Sequence, residues 1–332
     1  MIKVSIIIPC RNEEKFIGKC IDSLINQDYP KENLEILVID GASEDGTKKA
    51  IEEYSKKYSF IELLDNPNKY TPFGLNIGIR AAQGEIIVRM DAHAGYSLDY
   101  VSKCVKNLEE SGADNVGGVL KTLPSKNTLW AKSIAIVLSH RFGAGSSYFR
   151  TGSDKPRWVD TVFGGCFRKE TFEKVGMYNE KLTRSQDIEL NRRIKAAGGK
   201  ILLVPDIIAI YYPQSTFSGF LKHNFIDGLW TIYPLKFGIK IFGPRHLIPL
   251  VFVSSILVGL ILSDFFLGKL ILASVLGTYM LMNILFSLDL SFKNGLIYFP
   301  FLILAFINRH FAYGAGSLWA ALKIGFAKTL NR

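Results

Sequence analysis

Cysteine is scarce in this chain: Cys10, Cys20, Cys104 and Cys166 stand far apart among 332 residues, with no C-x-x-C pair. That spacing argues against both a zinc knuckle and a disulfide framework, and it points to a reducing compartment. No G-x-G-x-x-G and no Walker loop occurs, which disfavours dinucleotide and P-loop sites. The apolar run within Met1-Ile-Lys-Val-Ser-Ile-Ile-Ile-Pro-Cys10 is too short for the core of a signal peptide, and no cleavage site follows it. The bulk of the chain is therefore expected in the cytoplasm. Acidic residues are rare in the last quarter: after Lys240, seven basic residues face two acidic ones, against 33 and 28 before it. Half of the +10 net charge thus sits in a short tail. Those cations flank apolar runs, and the rest of the chain is nearly balanced, so a membrane surface fits better than nucleic acid.

What is present begins with a strand, loop and helix rhythm. Residues 4–8 are an apolar run, interrupted by Ser5 and ended by Pro9, as in a strand buried on both faces, and Arg11-Asn-Glu-Glu14 follows as a polar loop. Phe16, Ile17, Cys20, Ile21, Leu24 and Ile25 recur at helical spacing, and residues 35–39 form a second buried strand ending at Asp40. A helix over 47–58, a strand over 60–64, a helix over 72–82 and a strand over 86–90 continue the pattern of a parallel βαβ sheet. Further on, the sequence predicts a helix over 98–111, a strand over 115–122 and a short helix over 169–175 closed by Gly176. Residues 159–168 read as a return strand, 142–157 as a mobile Gly- and Ser-rich loop, and 128–141 as a core helix or one lying on a membrane. Over 182–198, Ser185 is the expected N-cap and Gly198 the stop.

The tail changes character. Residues 246–263, 270–288 and 294–308 hold no Asp, Glu, Lys or Arg, and the first two approach the ~20 residues that cross a bilayer. Residues 217–242 mix Lys222, Lys236 and Lys240 with Trp230, Tyr233 and Phe, as in an interfacial segment. Three or four spans are expected. A cytoplasmic catalytic part and a basic tail (Lys323, Lys328, Arg332) on one side require an even number.

The chemistry centres on Gly84-Glu-Ile-Ile-Val-Arg-Met-Asp-Ala-His-Ala-Gly-Tyr96. Its β-branched run stops at Met90, and Asp91 and His93 stand two positions apart. An extended backbone aims such a pair to one side, at the carboxyl end of a strand, where open α/β sheets bind ligands. A carboxylate and an imidazole there can ligate a divalent metal that holds a diphosphate. The plainer reading is a strand end with a polar turn. For Asp187, in the first turn of its helix, the plainer reading is an acid complementing the helix dipole.

Taken together, the motifs resemble a family 2 glycosyltransferase of the GT-A fold. Val4-Ser-Ile-Ile-Ile-Pro-Cys-Arg-Asn-Glu-Glu14 and Ile36-Leu-Val-Ile-Asp-Gly-Ala-Ser-Glu-Asp-Gly-Thr47 look like its first two strand–loop segments. Asn76-Ile-Gly78 and Gly84-Glu85 precede the metal motif at Asp91 as in that family, and Phe163-Gly-Gly-Cys-Phe-Arg168 and Gln186-Asp187 resemble its acceptor side. The likeness covers roughly residues 3–210 in order, and the Asp-Ala-His form with the membrane tail is nearest the exopolysaccharide (succinoglycan-type) glucosyltransferases.

The resemblance implies an α/β fold, Rossmann-like, with a mostly parallel sheet flanked by helices and followed by C-terminal transmembrane helices. Its parts would be a cytoplasmic catalytic domain over 1–215, an interfacial segment over 216–244, and the spans with a basic tail over 245–332. Pro9, Asn12 and Glu13 would border the nucleotide and Asp40 would bond its base, uracil. Asp91 and His93 would hold Mn²⁺ or Mg²⁺, Asp187 would be the general base and Arg193 its support. The reaction implied is an inverting transfer from a nucleotide-sugar to a lipid-linked (polyprenyl) saccharide at the cell membrane, needing one base and one cation. Three departures stand out: His93 for the second Asp, Gln186 for Glu, and no Q-x-x-R-W motif after Asp187, which argues against a processive synthase. Rival readings are a polyprenyl-phosphate sugar synthase and a non-catalytic membrane scaffold. Retention of Asp40, Asp91 and Asp187 together argues against the scaffold.

Overall fold

The computed structural model describes residues 2–330, with side chains through residue 325. In chain order, β1 (Val4–Cys10), α1 (Ile17–Ile25), β2 (Leu34–Asp40), α2 (Thr47–Lys57), β3 (Ile61–Asp65), α3 (Thr71–Ala81) and β4 (Ile86–Arg89) come first. Next come β5 (Ala94–Tyr96), α4 (Tyr100–Ser111), β6 (Asn115–Thr122), α5 (Leu129–Ser139), α6 (Arg141–Ala144) and α7 (Tyr148–Thr151). Then follow β7 (Arg157–Trp158), β8 (Cys166–Arg168), α8 (Lys169–Val175), α9 (Gln186–Ala196) and β9 (Ile201–Tyr211). Four long helices end the chain: α10 (Phe217–Ile232), α11 (Pro244–Ile261), α12 (Phe266–Asn294) and α13 (Phe299–Leu330). Met1–Lys121 with Tyr148–Tyr211 make one compact unit, and Thr122–Ser147 with Tyr212–Arg332 make a second.

The first unit is a mixed sheet in the order β3-β2-β1-β4-β8-β6-β9-β5, with β7 on β9. The β3-β2-β1-β4 part is parallel, as the βαβ rhythm predicts, while β8 pairs antiparallel with β4 and β6, and β9 with β5 and β7. β1 is buried on both faces because helices cover both. Ile6 and Ile8 pack with α1 and α4, and Ile7 packs with α3 and α9. Each such buried aliphatic contributes about 1.5–3 kcal/mol. Pro9 does not end β1 as expected. Pairing with β4 stops at Ile7, so the missing N–H of Pro9 faces no partner strand on that side, and pairing with β2 runs on to Cys10.

Three expectations are corrected. Residues 159–168 are not one strand: Gly164 (φ +66°) and Gly165 (φ +124°) break the extended path and leave only β8. Residues 142–157 are no open loop, since α6 and α7 lie within them. The 128–141 helix ends at Ser139, where His140 turns the chain and its Nδ1 caps α6 by accepting from the Phe142 N–H.

At Gly118 in β6 a Cβ would fall 1.8 Å from the Ile207 carbonyl oxygen of β9. Backbone cannot yield as a side chain can, so Gly118→Ala is expected to destabilise the protein by about 1–3 kcal/mol or more. Thermal unfolding in detergent reads this as a fall of several degrees, and an unchanged midpoint contradicts the packing.

In the second unit α10 lies against α13 at a spacing only glycine permits. A Cβ on Gly228 would meet the Tyr313 carbonyl oxygen at 1.9 Å, and one on Gly316 would meet that of Phe225 at 2.0 Å. Polar groups lock the seam: Asn224 donates to Asn308 Oδ1 (3.1 Å) and Ser317 to the Gly228 carbonyl (2.9 Å). Arg309, near the middle of α13, donates to Asn224 Oδ1 (2.6 Å) and the Gly143 carbonyl (3.2 Å). Among the described residues three helices, Pro244–Ile261, Phe266–Asn294 and Leu296–Gly325, are long and apolar enough to cross a membrane. Three is odd, so if all three cross, the ends before α11 and after α13 lie on opposite sides, against the even count expected. Arg332 of the basic tail lies outside the described residues, as does the side chain of Lys328.

Candidate active site

The carboxyl ends of β1, β2 and β4 carry three loops that meet on one rim. Asp40, the last residue of β2, is buried at 2% exposure. Its Oδ2 accepts from the Ser43 N–H (3.1 Å), while Oδ1 is buried with no hydrogen-bond partner among the described residues. A buried carboxylate oxygen without a donor is costly unless a ligand supplies one. Asn12, at φ +56°, staples the β1 loop to the β2 loop: its N–H donates to Ser43 Oγ (2.9 Å) and its Oδ1 accepts from the Glu44 N–H (2.9 Å). The Glu13 N–H donates to Thr47 Oγ1 (2.7 Å), and Pro9 is half-buried in β1 beneath this loop.

Asp91 and His93 do not lie on an extended segment, so the reason given for their convergence is corrected. β4 ends at Arg89, and residues 91–93 turn toward β5, the Ala94 N–H donating to the Asp91 carbonyl (3.2 Å). The Tyr96 hydroxyl fixes the turn by accepting from the Asp91 N–H (2.7 Å). The two side chains still share a site. His93 Nδ1 bonds Glu13 Oε1 (3.0 Å), and the Glu13 hydrogen bond raises the His93 pKa against the opposing effect of burial, with the charge of Asp91 adding to it. With Nδ1–H donated to Glu13, Nε2 of the neutral ring is an acceptor. That is how metal-binding histidines are commonly oriented. Among the described residues no cluster of three or more His, Cys, Asp or Glu side chains could hold a metal by itself.

Arg89, not singled out in the sequence, joins the two ends of the site. Its side chain is 9% exposed, and Nη2 donates to Asp91 Oδ1 (3.2 Å). The guanidinium lies 6.0 Å from the Tyr178 ring centroid, and its Nε and Nη1 are buried without hydrogen-bond partners. Burial alone pulls its pKa down, but Asp91, Tyr178 and Asp187 more than reverse this and hold it above the ordinary value. Asp91 and Asp187 therefore act on one buried cation. The signal was present in the sequence: Arg89 is the one charge in the apolar run 86–90 and needs a carboxylate nearby.

Asp187 lies in the first turn of α9, where its Oδ1 accepts from the Ile188 N–H (2.9 Å). Ser185 precedes the helix but is not the side-chain cap expected. It adopts φ +60° and makes no cap bond, so the backbone entering the Asp187 turn is strained. Arg193 supports the helix. It pairs with Glu189 through two 2.8 Å bonds and donates to the Gly176 (2.9 Å) and Met177 (2.7 Å) carbonyls, fixing the segment that presents Tyr178.

Comparison with known proteins gives the family and the fold. The sequence profile of "Glycosyl transferase family 2" matches residues 5–176. A Methanococcus voltae protein, "Dolichyl N-acetyl-alpha-D-glucosaminyl phosphate 3-beta-D-2,3-diacetamido-2,3-dideoxy-beta-D-glucuronosyltransferase", is 32% identical over 68% of this chain and 71% of its own. "Succinoglycan biosynthesis protein ExoA" of Rhizobium meliloti (strain 1021) is 28% identical over 72% and 76%. Among solved structures, mannosyltransferase PcManGT from Pyrobaculum calidifontis, in complex with GDP-Man and Mn²⁺, superposes with a TM-score of 0.59 at 18% identity, covering 96% of this chain and 87% of that one. That likeness bears on the fold, and the expected GT-A architecture is borne out. On the matched profile and these relatives, the chain belongs to glycosyl transferase family 2 and is a glycosyltransferase.

Proposed function

We propose that the protein transfers a sugar from a UDP-sugar to a lipid-linked saccharide, with inversion and with the help of a divalent cation, in exopolysaccharide or cell-surface glycan assembly. The observation that carries this reading is the partnerless, buried Oδ1 of Asp40 on the rim that also bears Asp91 and His93. Uracil offers an N3–H to such an oxygen. Asn12, Glu13 and Pro9 form the floor on which the nucleoside lies. The lipid acceptor is supported by the name of the M. voltae relative and by the three apolar helices, which we read as spans anchoring a cytoplasmic catalytic unit. Residues 216–244 then belong to the membrane-associated part.

An Asp91 oxygen and His93 Nε2 suit a divalent ion, with softer Mn²⁺ favoured over Mg²⁺ by the imidazole. Such an ion stabilises the charge of a departing nucleoside diphosphate. Asp187 takes the proton from the acceptor hydroxyl as its oxygen attacks the anomeric carbon from the face opposite the leaving group. Arg89 holds the two carboxylates in register, and Glu13 holds the His93 ring.

The test is transfer of label from a panel of UDP-sugars into the lipid phase, using a polyprenyl-linked saccharide and full-length protein. Acceptor-dependent labelling from one UDP-sugar is expected. Labelling of bare polyprenyl phosphate alone, or none with any donor, contradicts the reading. In parallel, Glu13→Gln is expected to weaken Mn²⁺-dependent UDP binding by about 10–100-fold, the usual loss when a partner orienting a ligating histidine is removed. Binding measured in EDTA should not change. An unaltered Mn²⁺ dependence removes His93 as a ligand.

A further inference from the structure

Within the second unit, a cavity of about 460 Å³ opens between α5, the end of α12 and the turn leading into α13. Its polar lining comes from Thr122, Lys132, Ser139, His140, Asn294 and Tyr298, and no acid lines it. Lys132, half-buried on α5, has no ion pair or side-chain hydrogen bond among the described residues. The Thr122 Oγ1 is buried and also lacks a partner. His140 accepts from the Phe142 N–H through Nδ1 (3.2 Å), so its neutral ring carries the remaining proton on Nε2 as a donor. Burial lowers the His140 pKa, which favours that neutral ring. Asp289, whose charge reaches His140, is itself paired with Lys293 (2.8 Å).

A lysine, an imidazole N–H, three hydroxyls and an amide can all donate to an anion, the lysine supplies the charge, and no carboxylate in the lining repels it. The position narrows the anion further. The cavity lies at the junction of two candidate membrane helices, where α12 ends at Asn294 and Tyr298 leads into α13. Beside it Trp130 packs against the rings of Phe217 (5.1 Å) and Phe301 (5.0 Å), an aromatic cluster of the kind found at headgroup level. Ile136 and Leu290 extend the wall with apolar surface.

We propose that this cavity seats the phosphate of a lipid, with Lys132 as its charged anchor and His140 and Thr122 as hydrogen-bond donors. The inference rests on the proposed function in one respect: it takes the lipid to be the phosphate-bearing acceptor, which this seat would hold by its headgroup.

The test is equilibrium binding of radiolabelled polyprenyl phosphate to the full-length protein in detergent. Wild type, Lys132→Ala and Lys132→Arg are compared, with UDP calorimetry on the same preparations. Saturable binding to wild type is expected, weakened about tenfold or more by Lys132→Ala and restored to within about threefold by Lys132→Arg. UDP binding should be the same in all three, which also shows that the variants fold. Equal competition by phosphatidylglycerol overturns the acceptor assignment and gives the seat to bulk anionic lipid. Equal competition by inorganic phosphate overturns the lipid assignment. Undiminished binding by Lys132→Ala overturns the site. Loss of UDP binding by wild type would sink the UDP-sugar reading and leave the seat standing.

Discussion

Asp187→Asn lowers transfer by about 10²–10⁴-fold, the range a positioned general base contributes, and leaves nucleotide binding as it was. The carboxamide has the size of the carboxylate and keeps an oxygen to accept the Ile188 N–H, now made at 2.9 Å, so the first turn of α9 is retained. What it loses is the ability to take a proton from the acceptor hydroxyl. Initial rates of lipid labelling, beside calorimetric UDP affinity, separate the two effects. A variant with wild-type rates reduces Asp187 to a helix-dipole complement. One that loses UDP binding places it in the donor pocket instead.

The second large effect is expected at Arg89. Replacing it by Met removes the charge-assisted bond to Asp91 Oδ1 and takes away the buried cation on which both Asp91 and Asp187 act. Breaking a buried pair by removing one partner costs roughly 3–5 kcal/mol. Arg89→Met should therefore unfold well below the wild-type temperature and transfer little sugar even when folded. Arg89→Lys keeps the charge but not the planar fork. It should recover much of the stability while transfer stays well below wild type. If Lys restores both, Arg89 acts only as a point charge. If Met is as stable as wild type, the ion pair with Asp91 is not the link described here.

Much of the parallel half of the sheet was legible in the sequence, because β1, β2 and β4 each hold an aliphatic run, 6–8, 36–39 and 86–88, closed by a polar loop, and buried parallel strands read that way. β6 and α8 start and end where turn residues and Gly176 place them. The antiparallel half was harder to read. β7 and β8 are two and three residues long, too short for any periodicity, and Gly164–Gly165 splits what looks like one strand. The site followed the same rule. Asp40, Asp91 and Asp187 could be named because acids at element ends are conspicuous. Beyond its bond to nearby Asp91, Arg89 acts with Tyr178 and Asp187, which lie far along the chain and which only the fold brings beside it. Ser185 looked like a cap by residue type, but at φ +60° its side chain makes no cap bond. In the tail, three apolar runs indicated the long helices, whereas the packing of α10 on α13 depends on single glycines, Gly228 and Gly316, that hydropathy does not weigh.

The central claim is that the rim formed by Asp40, Asp91 and His93 binds a uridine diphosphate through a divalent ion. Calorimetric titration of the detergent-solubilised protein with UDP and with GDP, each in Mn²⁺ and in EDTA, tests it most directly. The account predicts UDP binding that requires Mn²⁺ and exceeds GDP binding. Preference for GDP, or UDP affinity indifferent to EDTA, would contradict it.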